Sequence, residues 1–523
     1  MHLTHDVLGR RIGGAGPTAT QEAVLMTSSA AVDSIIDGST PPTYRWYADG
    51  QFRDAPAGTF EDFNPYTGEI HAHVARCGRA EAAEAVAAAE RAFDEWSRMS
   101  PGARAELFRR AAAVVHRRRD ELVAQLARET GAAAFNAGFQ IDLLGTLMEQ
   151  VAGWGYNPTG ESLPSDLPGA RHYVERRPLG VVVNFVPWNG ASLLSWRSAL
   201  APLVFGNTVV IKPSELAPLS AGLLIAEVVH EAGFPPGVIN VVTHAPGEAG
   251  PIADEFFDNP AVRCLNFIGS VATGRHLAER AGRALKRTVM ELGGYNPLLV
   301  MDDVDLDYAV QVATFSAFWH QGQVCMNARK ILVHERIYEE FTQRLVASAQ
   351  TLPTGDPSDP TTFIGPLITP AAVEQVDRRV REATDLGARA LCGATYEGQI
   401  YSPTVLIDVP DSATINHEET FGPVVVVQPV RDETEAIDIA NRPMYGLCAG
   451  VLSEQTRALE IAARLQAGAI RVNMVTISDE IHLPLGGVRD SGWGRSGPTG
   501  YRDDFTDVIA ITIQSGQQQL PIN

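Results

Sequence analysis

The sequence predicts an α/β protein built on buried parallel sheets, and three observations carry that prediction. First, short and almost continuously apolar segments stand at 181–186, 208–211, 238–242 and 265–268. Second, helical stretches near 191–204, 218–232 and 274–284 separate them. Strands that are apolar on both faces require helices on both sides, which is the layering of a parallel sheet. Third, a second β/α series begins near 297 and runs to about 475, without an internal repeat. Two sheets imply two domains with a cleft between them, and ligands of such sheets bind at strand carboxyl ends.

The remaining segments follow in chain order. Residues 1–42 are rich in Gly, Ala, Ser and Thr, end in Ser39-Thr40-Pro41-Pro42, and read as a poorly ordered extension, with Met26 as an alternative start. Asn64-Pro65-Tyr66-Thr67-Gly68 reads as a turn, and amphipathic scaffold helices are expected near 79–97 and 102–129, the second closed by Gly131. Residues 171–177 alternate like an exposed strand, and the tail 508–513 is apolar enough to need a partner. Paired across subunits, the two would remove exposed edges, so a homodimer or homotetramer is expected.

Composition excludes several classes. A chain of 523 residues holds two to four domains of ordinary size. A formal charge of -20 repels polyanions, which argues against nucleic-acid or anionic-membrane binding. Five scattered cysteines (Cys77, Cys264, Cys325, Cys392, Cys448) lack metal-ligand or disulfide-framework spacing, so no metal is expected and a reducing cytoplasm fits. No apolar run approaches the ~20 residues of a membrane span, and no hydrophobic core follows Arg10-Arg11 as it would in an export signal.

The chemistry centres on Cys325, in Gly322-Gln323-Val324-Cys325, and Glu291, which opens Glu291-Leu292-Gly293-Gly294. A thiol attacks as its thiolate, so a candidate nucleophile needs helpers, and a carboxylate is a candidate general base. Asn189, in Pro187-Trp188-Asn189 after the first strand, is a candidate oxyanion donor, with a structural amide as the alternative. Lys212 and Glu215 follow the second strand and suit ribose hydroxyls, the carboxylate disfavouring a 2′-phosphate; a surface ion pair is the alternative. Gly269-Ser270 opens a helix where a pyrophosphate would sit. Gly492-Trp493-Gly494-Arg495-Ser496-Gly497 satisfies GxGxxG, but no strand leads into it and no clear helix follows, so it reads as a loop.

Taken together, Pro187-Trp188-Asn189, the run 206–215, Phe267-Ile268-Gly269-Ser270, Glu291-Leu292-Gly293-Gly294, Gly322-Gln323-Val324-Cys325, Glu418-Glu419-Thr420-Phe421-Gly422-Pro423 and the run 484–492 resemble the aldehyde dehydrogenase superfamily over roughly residues 45–515. The resemblance implies a Rossmann-like cofactor domain (43–160 and 179–292), an α/β catalytic domain (293–493) and a small β-hairpin oligomerisation excursion (161–178 with 494–523). It implies Cys325 as nucleophile, Asn189 and the Cys325 N–H as oxyanion hole, and Glu291 as the base that activates water. Retention of that base favours hydrolysis over transfer to coenzyme A. NAD, with NADP possible, would be held by Val186, Pro187, Trp188, Lys212, Ser214, Glu215, Gly269, Ser270, Leu292, Gly293, Glu419 and Phe421.

Two positions depart from the family pattern, Tyr295 after the Glu291 motif and Leu485 where Phe is common. The stretch Phe318–Met326 looks most like the branch that oxidises aromatic aldehydes such as benzaldehyde and vanillin, with Trp196, Arg197, Trp319 and Leu485 as candidate pocket walls. The bland reading makes the two tryptophans core residues and Arg197 a structural cation. His320 reads as a packed residue rather than a proton shuttle. Alternatives are an aliphatic or carboxylate-bearing semialdehyde, with Arg197 binding the acid, and a retired binding protein, disfavoured because Cys325, Asn189 and Glu291 are all present.

Overall fold

The computed structural model describes residues 40–517 apart from Pro158 and Asp479, together with Leu520; nearly all of the expected extension lies outside the described residues. Strands Val181–Val186 and Thr208–Pro213 are buried along their whole length. Alternate residues serve opposite cores: Val182, Val209 and Ile211 pack on one face, and Val181, Val183 and Val210 on the other. That two-sided burial is why these runs show no polar alternation.

Among the described residues the first sheet has eight strands in the order Gly492–Trp493, Arg287–Leu292, Val262–Gly269, Val181–Val186, Thr208–Pro213, Ile239–Val241, Trp46–Ala48, Gln51–Arg53. From 181–186 the chain builds outward through 208–213 and 239–241, then returns to the other side for 262–269 and 287–292, all in parallel. The reversal opens a crevice at the carboxyl ends of 181–186 and 262–269, where ligands of such sheets bind. The second sheet has seven strands, with Leu298–Val300, Lys330–His334, Val424–Val430 and Cys448–Leu452 parallel. Its two faces carry separate cores around Leu298 and Ile331, and around Leu299 and Leu332.

Several expectations need correction. The helix expected over 102–129 is two, Pro101–Arg117 and Arg119–Thr130, broken at Arg118. Helix Ala134–Trp154 was not anticipated; it is apolar nearly all round and so lacks the stripe that reveals a helix. Strand Ala170–Pro178 and tail strand Thr506–Gln514 pair with each other inside one chain, in a three-stranded sheet with Gly160–Leu163, rather than across subunits. Segment 494–523 also divides: helix Gly497–Asp504 does follow the GxGxxG run, and Tyr501 and Phe505 pack into the first core. Among the described residues no helix is long and apolar enough to cross a membrane.

Candidate active site

The turn after helix Leu306–Phe318 carries the candidate nucleophile, and it is held against its own preference. His320, Gln321 and Gly322 take φ of 51°, 52° and 71°, a left-handed run that L side chains resist. At Gly322 a Cβ would stand 2.0 Å from the Gly422 carbonyl oxygen, so only glycine fits. Side chains offset the strain: Gln321 Nε2 donates to the Gly131 and Pro366 carbonyls (3.0 and 3.1 Å). Asn327 accepts from the Val324 N–H (2.8 Å) and donates to the Ser316 and Trp319 carbonyls (3.0 and 3.2 Å). Asn296 Nδ2 donates to the Cys325 carbonyl at 2.6 Å and to that of Asn327 at 2.9 Å. The backbone is therefore pinned on both sides of the sulfur.

Cys325 is half-buried and lines a cavity of about 800 Å³ with Asn189, Glu291, Arg197, Leu194, Met326 and Leu485. The other thiols are poor nucleophiles: burial pushes Cys77 and Cys448 up to about 12 and raises Cys264 and Cys392 as well. Glu291 sits near the end of strand Arg287–Leu292, paired with Gly492 on its outer side. Gly492 and Trp493 are thus a short antiparallel strand rather than a free loop. Tyr295 is buried beneath this strand end, its hydroxyl donating to the Ile415 carbonyl at 3.1 Å. His320 is buried and pushed down to about 4 by desolvation, a neutral packed ring at physiological pH.

A second cavity of about 370 Å³, lined by Val186, Lys212, Ser214 and Glu215, joins the first through Pro187, Trp188, Ile268 and Gly269, which line both. At the far end Lys212 Nζ stands 2.7 Å from His244 Nε2, whose Nδ1 donates to the Ala245 carbonyl at 2.9 Å, with Glu215 at 3.9 Å. Desolvation pushes Lys212 down to about 8 and His244 to about 4, so His244 accepts from the ammonium. In the middle Ser270 caps helix Val271–Arg283, accepting from the Thr273 N–H at 3.2 Å. At the near end Leu292, Gly293, Glu419 and Phe421 line the larger cavity, and Phe421 meets Trp188 edge-on at 5.5 Å. Gly293 leaves room for the Glu419 carboxylate, which a Cβ there would meet at 2.3 Å. Burial pushes Glu419 up to about 7 against the pull of Arg329, 4.0 Å away.

This groove fits a dinucleotide. An ammonium and a carboxylate stand at one end, a helix N-terminus in the middle, and at the other a buried Glu419 oxygen that accepts no hydrogen bond from the protein. Among the described residues no cluster of three or more metal-ligating side chains occurs.

Two of the expected pocket walls are elsewhere. Trp196 is 2% exposed and packs inside the first core, on the face of its helix turned from the cavity that Arg197 lines. Trp319 stacks on Phe315 at 4.6 Å and meets Phe135, Phe139 and Phe363 edge-on, an aromatic cluster separate from the cavity lining. Leu194, Met326 and Arg329 were not anticipated, nor was His244. The signal for His244 was its place after strand Ile239–Val241, and for Arg329 its place beside Lys330 at the entry of an apolar strand.

Fold and cleft together define an oxidoreductase that acts on an aldehyde group, pairing a cysteine with a dinucleotide groove. The aldehyde dehydrogenase family matches residues 52–511, and the chain belongs to it. It is similar to a vanillin dehydrogenase of Pseudomonas fluorescens, 39% identical over 465 residues, 89% of this chain and 96% of that protein. Among solved structures it is similar to a salicylaldehyde dehydrogenase from Pseudomonas putida G7 complexed with salicylaldehyde (TM-score 0.89, 35% identity, 92% of this chain and 99% of that one). A betaine aldehyde dehydrogenase from Staphylococcus aureus in complex with NAD+ superposes with a TM-score of 0.88 at 29% identity, over 91% of this chain and 96% of that one.

Proposed function

We propose that this chain oxidises an aromatic aldehyde to its carboxylic acid with NAD. The observation that carries the reading is that Cys325, Asn189 and Glu291 open into one cavity continuous with the dinucleotide groove. The Cys325 thiolate adds to the carbonyl carbon, and Asn189 with the Cys325 N–H holds the oxyanion of the thiohemiacetal. When bound, NAD supplies the oxidising power by accepting the hydride of that carbon. Glu291 then takes a proton from water, which cleaves the Cys325 thioester and releases the acid. Lys212 and Glu215 would hold the adenosine ribose, Ser270 the pyrophosphate, and Glu419 and Phe421 the nicotinamide end.

The aromatic assignment is supported by relatives named for vanillin and salicylaldehyde. It also draws on a pocket in which Leu194, Met326 and Leu485 offer flat apolar contact and Arg197 offers a donor to a ring oxygen. A buried arginine in that wall also favours a second substrate, a carboxylate-bearing semialdehyde. We further place the protein in the cytoplasm as a homo-oligomer. The test is NADH formation from benzaldehyde, vanillin, hexanal and succinic semialdehyde, with NAD or NADP and with Cys325→Ala as control. Turnover of the ring aldehydes with NAD, abolished in the variant, is expected; preference for the acid semialdehyde transfers Arg197 to the second reading.

A further inference from the structure

The guanidinium of Arg329 is 2% exposed and lies behind the nucleophile turn. One terminal nitrogen donates to the Gly322 carbonyl at 2.7 Å and the Val324 carbonyl at 3.1 Å; the other reaches the Gly422 carbonyl at 3.3 Å. Its central carbon is 5.7 Å from the centroid of the Phe421 ring, and Glu419 is 4.0 Å away. One rigid fork thus ties the turn that carries Cys325 to the loop that carries Glu419 and Phe421, a task suited to arginine and not to lysine.

We infer that Arg329 is the positioning residue of the nucleophile, clamping the Cys325 turn to the Glu419–Phe421 loop and supplying the fixed positive charge that favours the Cys325 thiolate. Burial pushes Arg329 down to about 10, while Glu419 and then Cys325 draw it back toward the charged form. Such interactions are mutual, so the cation that a thiolate favours also favours the thiolate. Other titratable groups stand near the same cavity. Glu291 and Glu419 are carboxyl groups on strand Arg287–Leu292 and the 418–421 loop, Glu419 pushed up to about 7 by burial, and His320 is neutral. Tyr295 is a buried phenol whose hydroxyl donates to a carbonyl. Arg197 lines the substrate wall, and Arg379, from helix Pro370–Asp385, is engaged by Glu418 at 2.6 Å.

The inference rests on Cys325 being the nucleophile, and its test does not require turnover. The rate at which iodoacetamide alkylates Cys325 is followed by peptide mass spectrometry across pH in the wild type, Arg329→Gln and Arg329→Lys, with kcat measured alongside. Arg329→Gln is expected to move the alkylation profile up by about one pH unit, a rate about tenfold lower at neutral pH. Arg329→Lys keeps charge without the fork, so its profile stays near wild type while kcat falls at least tenfold. A profile that Arg329→Gln leaves in place overturns the inference. Should that variant not fold, an Arg329→Lys profile displaced by a full unit, or an unchanged kcat, overturns it instead. Failure to oxidise any aldehyde, with the alkylation shift intact, would instead count against the proposed function.

Discussion

His244 and Lys212 form a buried pair whose charge state depends on the surrounding protein. His244 titrates near 4 in the folded chain against 6.5 when unfolded, because it is desolvated beside an ammonium. The unfolded chain takes up the proton first as pH falls, so stability present above the unfolded value is lost between about 6.5 and 4. Thermal melts over this range should show it, and His244→Asn, which keeps an acceptor for Lys212 but cannot protonate, should flatten the acid limb; an unaltered limb would show that other groups govern it. At the catalytic residues the expectations separate by step. Asn189→Ala should lower kcat by roughly 10²–10³ with a small effect on KM, the signature of a lost oxyanion donor. Glu291→Gln should release one equivalent of NADH and then stall at the thioester, read as a stopped-flow burst with little steady state.

At the scale of elements, the nucleophile turn shows why a site can be legible in residues yet hidden in geometry. Cys325, Glu291 and Asn189 could be picked out because chemistry dictates their types, and strand ends dictate the places of Asn189 and Glu291. The three left-handed residues that aim Cys325 carry no pattern except Gly322, and the restraints on Gln321 come from Gly131 and Pro366, distant in sequence. Trp196 was misplaced because one residue around a helix decides between cavity and core, and proximity to Asn189 says nothing of rotation; Trp319 was misplaced because it follows a helix end, in an aromatic cluster with Phe315. The buried strands were readable because both faces are apolar, whereas helix Ala134–Trp154 was not, for want of a polar face. Gly322→Ala should therefore act through the backbone. A Cβ 2.0 Å from the Gly422 carbonyl forces the turn open, so a stability loss of about 2–4 kcal/mol is expected together with near-complete loss of activity. Denaturant unfolding checks the first, and a melt indistinguishable from wild type would refute the steric account.

For the whole molecule, the sheet order places the groove and the hairpin sheet leaves the surface unfinished. Strand Thr506–Gln514 is hydrogen-bonded to Ala170–Pro178 on one side, and the order of this three-stranded sheet leaves its other side an open edge. Val508 and Ile513 are 58% and 49% exposed on that strand, and Leu163 is 44% exposed on the opposite edge strand. An open edge with apolar side chains invites pairing with another copy, and closed association removes the hazard. The subunit contact is therefore expected along this sheet, by edge-to-edge pairing of a strand that is already half-satisfied within its own chain. Val508→Glu with Ile513→Glu puts like charges on the contact without touching either core. Light scattering should report a smaller species for the double variant than for the wild type, with the melting transition of the smaller species at lower temperature. An unchanged mass would move the contact to another face. A smaller species that keeps full kcat would show that each chain assembles its own site.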